Sequence, residues 1–383
     1  MRASTSKPTQ GALSNADGIW RVLRDNSVVA ESGRVVFFSN RRFKRAICRG
    51  DCCFICGLSP RKTTFNDEHI LPEWLLRRFK LFQREITLPN RTTVRYGQYT
   101  IQCCSACNSL LGAAIEQPVR ELVAGGHQAV ADQVREKGPS LLFVWLALIF
   151  VKTHLRDRDF RADRDLRVPS GPISSMYKWG TLHHLHCVAR IFFSGAELDP
   201  QVFGTIMILP AKVEPASEPF DFVDLYLAQT MLMRIEDVAI LCVFDDGGAV
   251  AQYLIRILKD APGPFSAVQL REILADAAAC NLHLLNRPIH HSIFDIDNRR
   301  TAIVSELRGP APAFAKAQRT VRGAFMEYAL RSVLGSSDTF IGFDTPNDFW
   351  DAVRQGSVTL LFDNEGRFIT EHFRPLPNAQ SDR

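Results

Sequence analysis

The chain has 383 residues, of which 46% are apolar and 23% are charged, as in an average globular protein. This composition argues against a disordered or low-complexity protein. The longest apolar run, Leu141 to Val151, is shorter than the roughly 20 residues that a transmembrane helix needs. The polar first 18 residues lack the apolar core of a secretory signal. We therefore predict a cytoplasmic protein with no membrane partner.

Basic residues and cysteines are concentrated in one segment. Residues 40–100 contain 13 lysines and arginines but only 5 acidic residues, a balance of +8, whereas the whole chain carries +5. Seven of the ten cysteines lie within residues 48–107. Without an export signal, such clustering favours metal binding over disulfides. The coincidence of the two features indicates a small metal-containing module that meets a polyanion.

The first 125 residues contain short strand and helix patterns. Residues 1–18 are rich in Ser, Thr, Gly and Ala and are expected to fray. Pro72 precedes a helical pattern, as is typical of a first turn. The predicted strands are 28–29, 35–38 and 92–101, and the predicted helices are 73–82 and 105–123.

The rest of the chain predicts a larger mixed region. Residues 140–154 are expected to form a buried helix, because apolar residues cover all of its faces. Residues 245–248, Asp-Asp-Gly-Gly, lie between apolar runs and predict a hairpin turn. Thr345 and Pro346 predict a helix start. Further strands are predicted at 187–193, 203–209, 222–233, 238–244 and 249–257, helices at 266–280, 313–334 and 346–353, and a last hairpin between 358–362 and 367–370.

Two C-x-x-C pairs predict a structural zinc site. Cys53 and Cys56 form the first pair, and Cys104 and Cys107 form the second, 47 residues further on. Two residues between thiolates let one tight turn direct both sulfurs at one ion, and two such turns complete a tetrahedron. Gly57 fits this pattern, because the residue after such a turn often needs a positive φ. The neighbouring residues Cys52 and Cys103 remain alternative ligands.

An acidic residue and a histidine lie between the cysteine pairs. Glu68 and His69 belong to the sequence EHILPEWL, and Asn108 follows the second pair directly, with Glu116 eight residues later. The combination CxxCG, EHxxPxWL and CxxCN, over about residues 48–120, resembles the His-Asn-His (HNH) endonucleases of the ββα-metal class. More narrowly, it is similar to their zinc-containing branch.

The resemblance implies a role for each of these residues. His69 would be the general base that activates water, which suits a side chain with a pKa of about 6.5. Glu68 and Asn108 would hold a catalytic Mg²⁺ or Mn²⁺, because hard oxygen ligands favour these ions. Glu116 would be a third ligand or would hold a metal-bound water. Four sulfurs fill the coordination sphere of zinc, so the zinc would be structural.

One position departs from the family pattern. The middle asparagine of the family, which orients the catalytic histidine, usually lies nine residues before the asparagine of CxxCN, and that position is Tyr99 here. Gln98, Gln102 or Asn90 could replace it, or the backbone could provide the contact.

The elements and the resemblance together predict the organisation, with the boundary after the module near residues 125–126 or 138–139. We predict an α+β fold with a partly flexible segment 1–40, an HNH-like ββα-metal module with structural zinc over 41–125, and a larger α+β domain over 126–383. The basic side chains of the module are predicted to contact the phosphates of DNA. These side chains are Arg41, Arg42, Lys44, Arg45, Arg77, Arg78, Lys80, Arg91 and Arg95.

Two functions remain open at this point. The first is a metal-dependent endonuclease acting on DNA, by analogy in bacterial anti-phage defence or restriction, with a partner protein contacted by the C-terminal domain. The second is a zinc-containing nucleic-acid-binding or regulatory module that lacks the chemistry, which Tyr99 favours. The histidines at 183, 184, 186, 290 and 291 lack a defined ligand set and are interpreted as structural.

Overall fold

A computed structural model describes residues 20–214, 218–295, 300–334, 340 and 342–372. The expected fraying of residues 1–18 lies outside this part of the chain. The chain divides into two compact units, each built from separate stretches. Unit 1 consists of Met1–Pro118, Ala147–Asp199 and His290–Val304, and unit 2 of Val119–Leu146, Pro200–Ile289 and Ser305–Arg383. The consecutive division at residues 40 and 125 stays a sequence-based prediction.

Helices and small sheets are mixed along the chain, which confirms the α+β class. The strands are β1 (Trp20–Val22), β2 (Val28–Ala30), β3 (Val35–Phe37), β4 (Phe65–His69), β5 (Glu85–Thr87), β6 (Thr93–Arg95), β7 (Thr100–Cys104), β8 (Glu197–Leu198), β9 (Ile206–Pro210), β10 (Phe220–Leu225), β11 (Thr230–Ile235), β12 (Val238–Val243), β13 (Ile289–Asp295) and β14 (Arg300–Glu306).

The α-helices follow the same order. They are α1 (Asn40–Arg42), α2 (Glu73–Arg78), α3 (Ser105–Leu111), α4 (Gln117–Val123), α5 (Gly126–Lys137), α6 (Ser140–Arg156), α7 (His183–Ala189), α8 (Ile191–Ser194), α9 (Ala249–Leu258), α10 (Ala267–Leu282), α11 (Arg319–Leu330) and α12 (Pro346–Arg354). A π-helical segment, Phe43–Cys48, follows α1, and another, Gly112–Glu116, joins α3 to α4. The helix predicted over 105–123 is therefore confirmed.

Unit 1 contains the cysteine pairs and the acid–histidine sequence. Strands β4 and β7 form an antiparallel ribbon in which Phe65 pairs with Cys104 and His69 with Thr100. Helix α3 begins directly after β7, so the ribbon and the helix form one continuous ββα arrangement around the insertion of α2, β5 and β6. Strands β1, β2 and β3 form a separate antiparallel sheet.

Unit 2 is built on a four-stranded antiparallel sheet. The strand order is β10-β11-β12-β9, and every residue of β11 and β12 is buried. Their nearly continuous apolar sequences fit strands that are covered on both faces. Helix α10 packs on this sheet and is itself almost entirely buried. Its first turn is closed by a reciprocal capping box between Ser266 and Gln269.

Several predicted elements differ from the structure. Residues 187–193 and 249–257 were expected to be strands, but they form parts of α7 and α8 and of α9. Short apolar runs do not distinguish a buried strand from a buried helix, because the hydrophobic period is lost when all faces are covered. The predicted strand 222–233 is interrupted by a helical turn at Tyr226–Ala228. The last predicted hairpin is reduced to one bridge between Phe362 and Phe368.

The predicted hairpin turn at residues 245–248 is instead the start of a helix. Gly248, at a φ of 81°, precedes α9, and the Asp246 carboxylate accepts a hydrogen bond from the Val250 amide at 2.7 Å. The same carboxylate accepts bonds from the amide and hydroxyl of Thr205 at 2.7 and 2.6 Å. One buried aspartate therefore joins the start of α9 to the segment that leads into β9.

In the described part of the chain, no single helix has the length and apolarity needed to cross a membrane. Within those same residues, only the helix pair Gly126–Lys137 and Ser140–Asp159 has the necessary length and apolarity when the two helices are taken together. The chain bends by 109° between them.

Candidate functional site

Four cysteines form a buried cluster that could hold a metal such as zinc. The Sγ atoms of Cys53, Cys56, Cys104 and Cys107 all lie within 4.8 Å of one another. Zinc–sulfur bonds of about 2.3 Å place the sulfurs of a tetrahedral site about 3.8 Å apart. The Sγ atoms of Cys56 and Cys104 lie 3.6 Å apart, close to that spacing. Both C-x-x-C pairs thus meet at one centre.

The protonation chemistry of this cluster also favours a cation. The sulfurs of Cys53 and Cys56, together with burial, raise the pKa of Cys107 far above its usual range. Four buried thiolates would repel one another, so the cluster cannot be fully deprotonated without a positive ion among them. Of the alternative ligands, Cys103 lies 3.8 Å from Cys53, Sγ to Sγ, and Cys52 is only half-buried.

The first C-x-x-C turn is closed locally and supported from α7 and α8. Gly57 has a φ of 75°, as predicted, and its amide donates to the Cys53 carbonyl at 2.8 Å. The imidazole Nε2 of His186 lies 2.6 Å from the Phe54 carbonyl oxygen. The guanidinium of Arg190, on the residue between the two helices, donates to the carbonyls of Ile55 and, at 2.7 Å, Val35.

Arg190 would also balance the charge of a zinc ion bound by the cysteine cluster. Its side chain is fully buried, and burial lowers its pKa to about 10, although nearby cysteine thiolates oppose that shift. A zinc ion with four thiolates carries a net charge of −2, so a buried guanidinium beside it stabilises the centre. The apolar run that contains Arg190 gave no sign of this role.

The second cysteine pair fixes the position of Asn108. Cys104 ends β7, Cys107 lies in the first turn of α3, and Asn108 is the next residue. The Ser105 amide donates to the Thr64 carbonyl at 2.9 Å and so ties the helix start to the residue before β4. A metal at the cysteines would therefore connect the first C-x-x-C turn to the end of β7 and to the start of α3.

Glu68 pairs with a lysine that the sequence motifs did not reveal. The ammonium of Lys152 in α6 donates to Glu68 Oε1 and to the main-chain oxygen of His69, both at 2.7 Å. Lys152 is completely buried, and the side chain of Glu68 is 9% exposed. A signal was present in the sequence, since residues 140–151 contain no charged side chain and Lys152 follows them directly.

Glu116 lies on the other side of the same ammonium. Its Oε1 is 3.9 Å from Lys152 Nζ, beyond hydrogen-bonding distance, and the residue ends the π-helical segment after α3. Burial raises the pKa of Glu116 to about 7, although the charge of Lys152 opposes that shift. The structure therefore brings Glu68 and Glu116 together around one lysine.

His69 and Glu68 leave β4 on opposite faces. Successive side chains of a strand alternate, so Asn66 and Glu68 share one face, while Asp67 and His69 share the other. The His69 ring is half-buried and meets the ring of Phe82 edge-on, with centroids 5.7 Å apart. Glu68 instead points to the buried Lys152.

Asn108 lies on the Glu68 face of the ribbon. Its amide nitrogen donates to Asn66 Oδ1 at 3.2 Å. The amide oxygen of Asn108 and the second carboxylate oxygen of Glu68 are hard donors of the kind that Mg²⁺ prefers. In the described residues, however, the only close group of three or more histidine, cysteine or acidic side chains is the cysteine cluster.

The position of the missing asparagine is occupied by a buried side chain. Tyr99 is 2% exposed, and its carbonyl accepts a hydrogen bond from the Ile70 amide at 2.9 Å. Gln102 donates to Asp67, and Asn90 donates to the Arg161 carbonyl at 2.7 Å. The backbone of Tyr99 therefore supports the turn after His69, whereas these two amides are engaged at other residues.

The predicted phosphate-contacting residues are mostly exposed, and one of them approaches the same aromatic ring as His69. Arg41, Arg45, Arg77, Arg78, Lys80, Arg91 and Arg95 are exposed, whereas Arg42 and Lys44 are half-buried. The guanidinium of Arg77 lies 5.7 Å from the centroid of the Phe82 ring, the same ring that contacts His69. Arg77 also pairs with Glu73, but exposed ion pairs of this kind contribute little and exchange readily.

Comparisons with known proteins gave no further assignment. No protein-family model matches the chain, and neither the curated proteins nor the solved structures contain a match to it.

Proposed function

We propose that this chain is a metal-dependent endonuclease of the HNH type that hydrolyses phosphodiester bonds of DNA. The observation that carries the proposal is the buried cysteine cluster, in which Cys107 directly precedes Asn108 and Cys104 ends the strand that pairs with Glu68 and His69. Zinc is the ion that suits four buried thiolates at this spacing. Its role here is structural, because the four sulfurs leave no open coordination position.

His69 is proposed to be the general base. Its ring is half-buried at the end of β4, so it can accept a proton from a water molecule near the surface. Its main chain is fixed by Lys152 and by pairing with Thr100. The exposed Arg77, next to the Phe82 ring that His69 contacts, is suited to hold the DNA phosphate beside the base.

Glu68 and Asn108 are proposed to hold the catalytic divalent cation. The free carboxylate oxygen of Glu68 and the amide oxygen of Asn108 fit Mg²⁺ or Mn²⁺ by donor chemistry. When bound, such an ion neutralises the charge that develops on the phosphate and on the departing oxygen. Glu116 lies beside Lys152, and in this proposal it influences the net charge of the Lys152–Glu68 ion pair.

The proposal is tested by cleavage of supercoiled plasmid DNA, with single-stranded DNA and RNA as further substrates, in Mg²⁺ and in Mn²⁺. We expect nicked or linear products from the wild type, and rates lower by about a hundredfold or more from His69→Ala and Asn108→Ala. His291→Ala, at an exposed histidine of β13, serves as the matched control and should retain the wild-type rate. If the wild type were as inactive as His69→Ala on every substrate and with both metals, the proposed nuclease activity would be refuted.

A second candidate is a zinc-containing nucleic-acid-binding module without cleavage activity. Two observations favour it: Tyr99 replaces the orienting asparagine, and the side chains of Glu68 and His69 leave β4 on opposite faces. In that case DNA binding should be salt-sensitive but unaffected by removal of Mg²⁺ or by His69→Ala. Replacing Arg77, Arg78 and Lys80 with alanine should weaken binding and reduce the salt slope by about 3 if all three contact phosphates.

A further inference from the structure

We propose that Lys152 is the positioning residue of the candidate acid–histidine centre, because one buried ammonium fixes both the Glu68 carboxylate and the main chain of His69. The inference rests on the proposed function for its catalytic consequence. Its structural consequence, a fixed end of β4, can be measured whether or not the protein cleaves DNA.

The ammonium of Lys152 lies in an unusually apolar place. The residue is completely buried within α6, and the helix residues from Phe143 to Val151 are almost completely buried apolar or aromatic side chains. Burying an ammonium is strongly unfavourable unless it is paired and hydrogen-bonded. An apolar residue would suit the packing of this helix better, so the lysine is explained by what its ammonium contacts.

Those contacts converge on one end of the ribbon. Lys152 Nζ lies 2.7 Å from Glu68 Oε1 and 2.7 Å from the carbonyl oxygen of His69. The two acceptors belong to consecutive residues at the end of β4, one through its side chain and one through its main chain. Tyr99, the residue before β7, accepts the Ile70 amide through its carbonyl at 2.9 Å, so this end of the ribbon is held from both sides.

The remaining oxygen of Glu68 is oriented by the same contact. Because Oε1 is bound to a buried, immobile ammonium, the carboxylate cannot rotate freely, and Oε2 keeps a fixed direction. Contacts that orient a metal ligand from behind typically change metal affinity by about 10- to 100-fold. Glu116 Oε1 lies 3.9 Å from Nζ, and in its ionised form it places a second negative charge beside the ammonium.

Lys152 acts through Glu68 and His69 and is not itself a catalytic residue. Its side chain has no exposed surface, so it cannot reach a DNA phosphate in this structure. Its effect should therefore appear in the metal affinity and in kcat, with little change in KM for DNA.

The experiment is a double-mutant cycle in the full-length, zinc-containing protein. Lys152→Met removes the ammonium, Glu68→Gln removes its acceptor charge, and the third variant combines both changes. Thr153→Val is the matched control, because Thr153 is buried on the same helix and its hydroxyl donates to the Ile149 carbonyl of that helix. Three quantities are measured: Mn²⁺ affinity by electron paramagnetic resonance, kcat and KM for plasmid cleavage, and hydrogen exchange of residues 65–72.

We expect Lys152→Met to weaken Mn²⁺ binding by about tenfold or more, to lower kcat more than it raises KM, and to accelerate amide exchange at the end of β4. In the Glu68→Gln background the same change should alter Mn²⁺ affinity less than about twofold. If Lys152→Met and Thr153→Val gave the same amide exchange rates in residues 65–72, the proposal would be overturned. An equal loss of Mn²⁺ affinity from Lys152→Met in the wild-type and Glu68→Gln backgrounds would also overturn it.

Two further outcomes separate this inference from the proposed function. If the wild type neither cleaves DNA nor binds Mn²⁺, the nuclease fails, while the exchange of residues 65–72 still decides the role of Lys152. If Lys152→Met does not fold, the double variant should be more stable than the single one, because it no longer buries an unpaired carboxylate. If the double variant were no more stable to unfolding than Lys152→Met, the pairing of Lys152 with Glu68 would be contradicted.

Discussion

Gly57, the residue after the first C-x-x-C turn, provides a sharp test of the cysteine centre. Its φ of 75° lies in the left-handed region, which costs an L-residue about 1–2 kcal/mol. An added Cβ would also lie 2.6 Å from Cζ of Phe38. Such overpacking typically costs about 1–3 kcal/mol. Gly57→Ala should therefore lower the free energy of unfolding by about 2–5 kcal/mol.

The assay is urea denaturation of the zinc-loaded protein, combined with the rate at which a chelator removes zinc. Gly112→Ala is the matched control, because apart from its chain neighbours and the backbone of its own helix no atom lies within 4 Å of its added Cβ. Alanine in that helical segment should be neutral or stabilising by up to about 1 kcal/mol. We expect only Gly57→Ala to lose stability and to release zinc faster. Equal unfolding free energies for the two variants would refute the strained, closely packed geometry of the first cysteine turn.

Two other predictions concern buried charges. Arg190→Lys should release zinc at lower chelator concentrations, because a lysine cannot reproduce the guanidinium contacts to the carbonyls around the first cysteine pair; unchanged zinc retention would contradict this. In unit 2, burial and the charge of Asp276 raise the pKa of Glu272 from 4.5 to about 7, despite its ion pair with Arg322. Since the folded-state pKa is the higher one, the stability that the protonated carboxyl contributes is complete below about pH 4.5 and is lost as the pH rises to 7. The loss is on the order of 3 kcal/mol, and Glu272→Gln should remove it from the pH dependence of unfolding; an unchanged slope would count against the assignment.

The cysteine cluster was predictable because its signal is local. Two residues between thiolates define a turn, and two such turns define one centre, whatever lies between them. The first turn also predicts the positive φ of Gly57, and the helical spacing of apolar residues after Cys107 predicts the helix that carries it. These features depend on neighbours in sequence, so the sequence alone was sufficient.

Lys152 was not predictable in the same way, because its role depends on residues about 84 positions earlier in the chain. A single lysine after an apolar run is a visible anomaly, but only the folded chain shows which carboxylate it meets. Arg190 is a parallel case, since its run also reads as apolar and the Ile55 carbonyl that it contacts lies 135 positions away. Pairing between buried charges that are far apart in the chain produces no periodic pattern in the sequence from which it could be predicted.

The wrong strand predictions have a different cause. The runs at 187–193 and 249–257 are apolar enough for either a strand or a helix. The helix α9 is selected by Asp246, whose carboxylate accepts the Val250 amide, whereas the Asp-Asp-Gly-Gly sequence there equally predicts a hairpin turn. The helical form of residues 187–189 places His186 and Arg190 on the backbone of the first cysteine turn.

The most direct test of the account is zinc K-edge X-ray absorption on the purified full-length protein, together with its zinc content. We predict one zinc per chain, with four sulfur ligands at about 2.3 Å and loss of that signal in a Cys104→Ser, Cys107→Ser variant. A protein that keeps its fold without zinc, or a zinc shell dominated by nitrogen and oxygen, would contradict the metal-centred ribbon and helix from which the proposed chemistry follows.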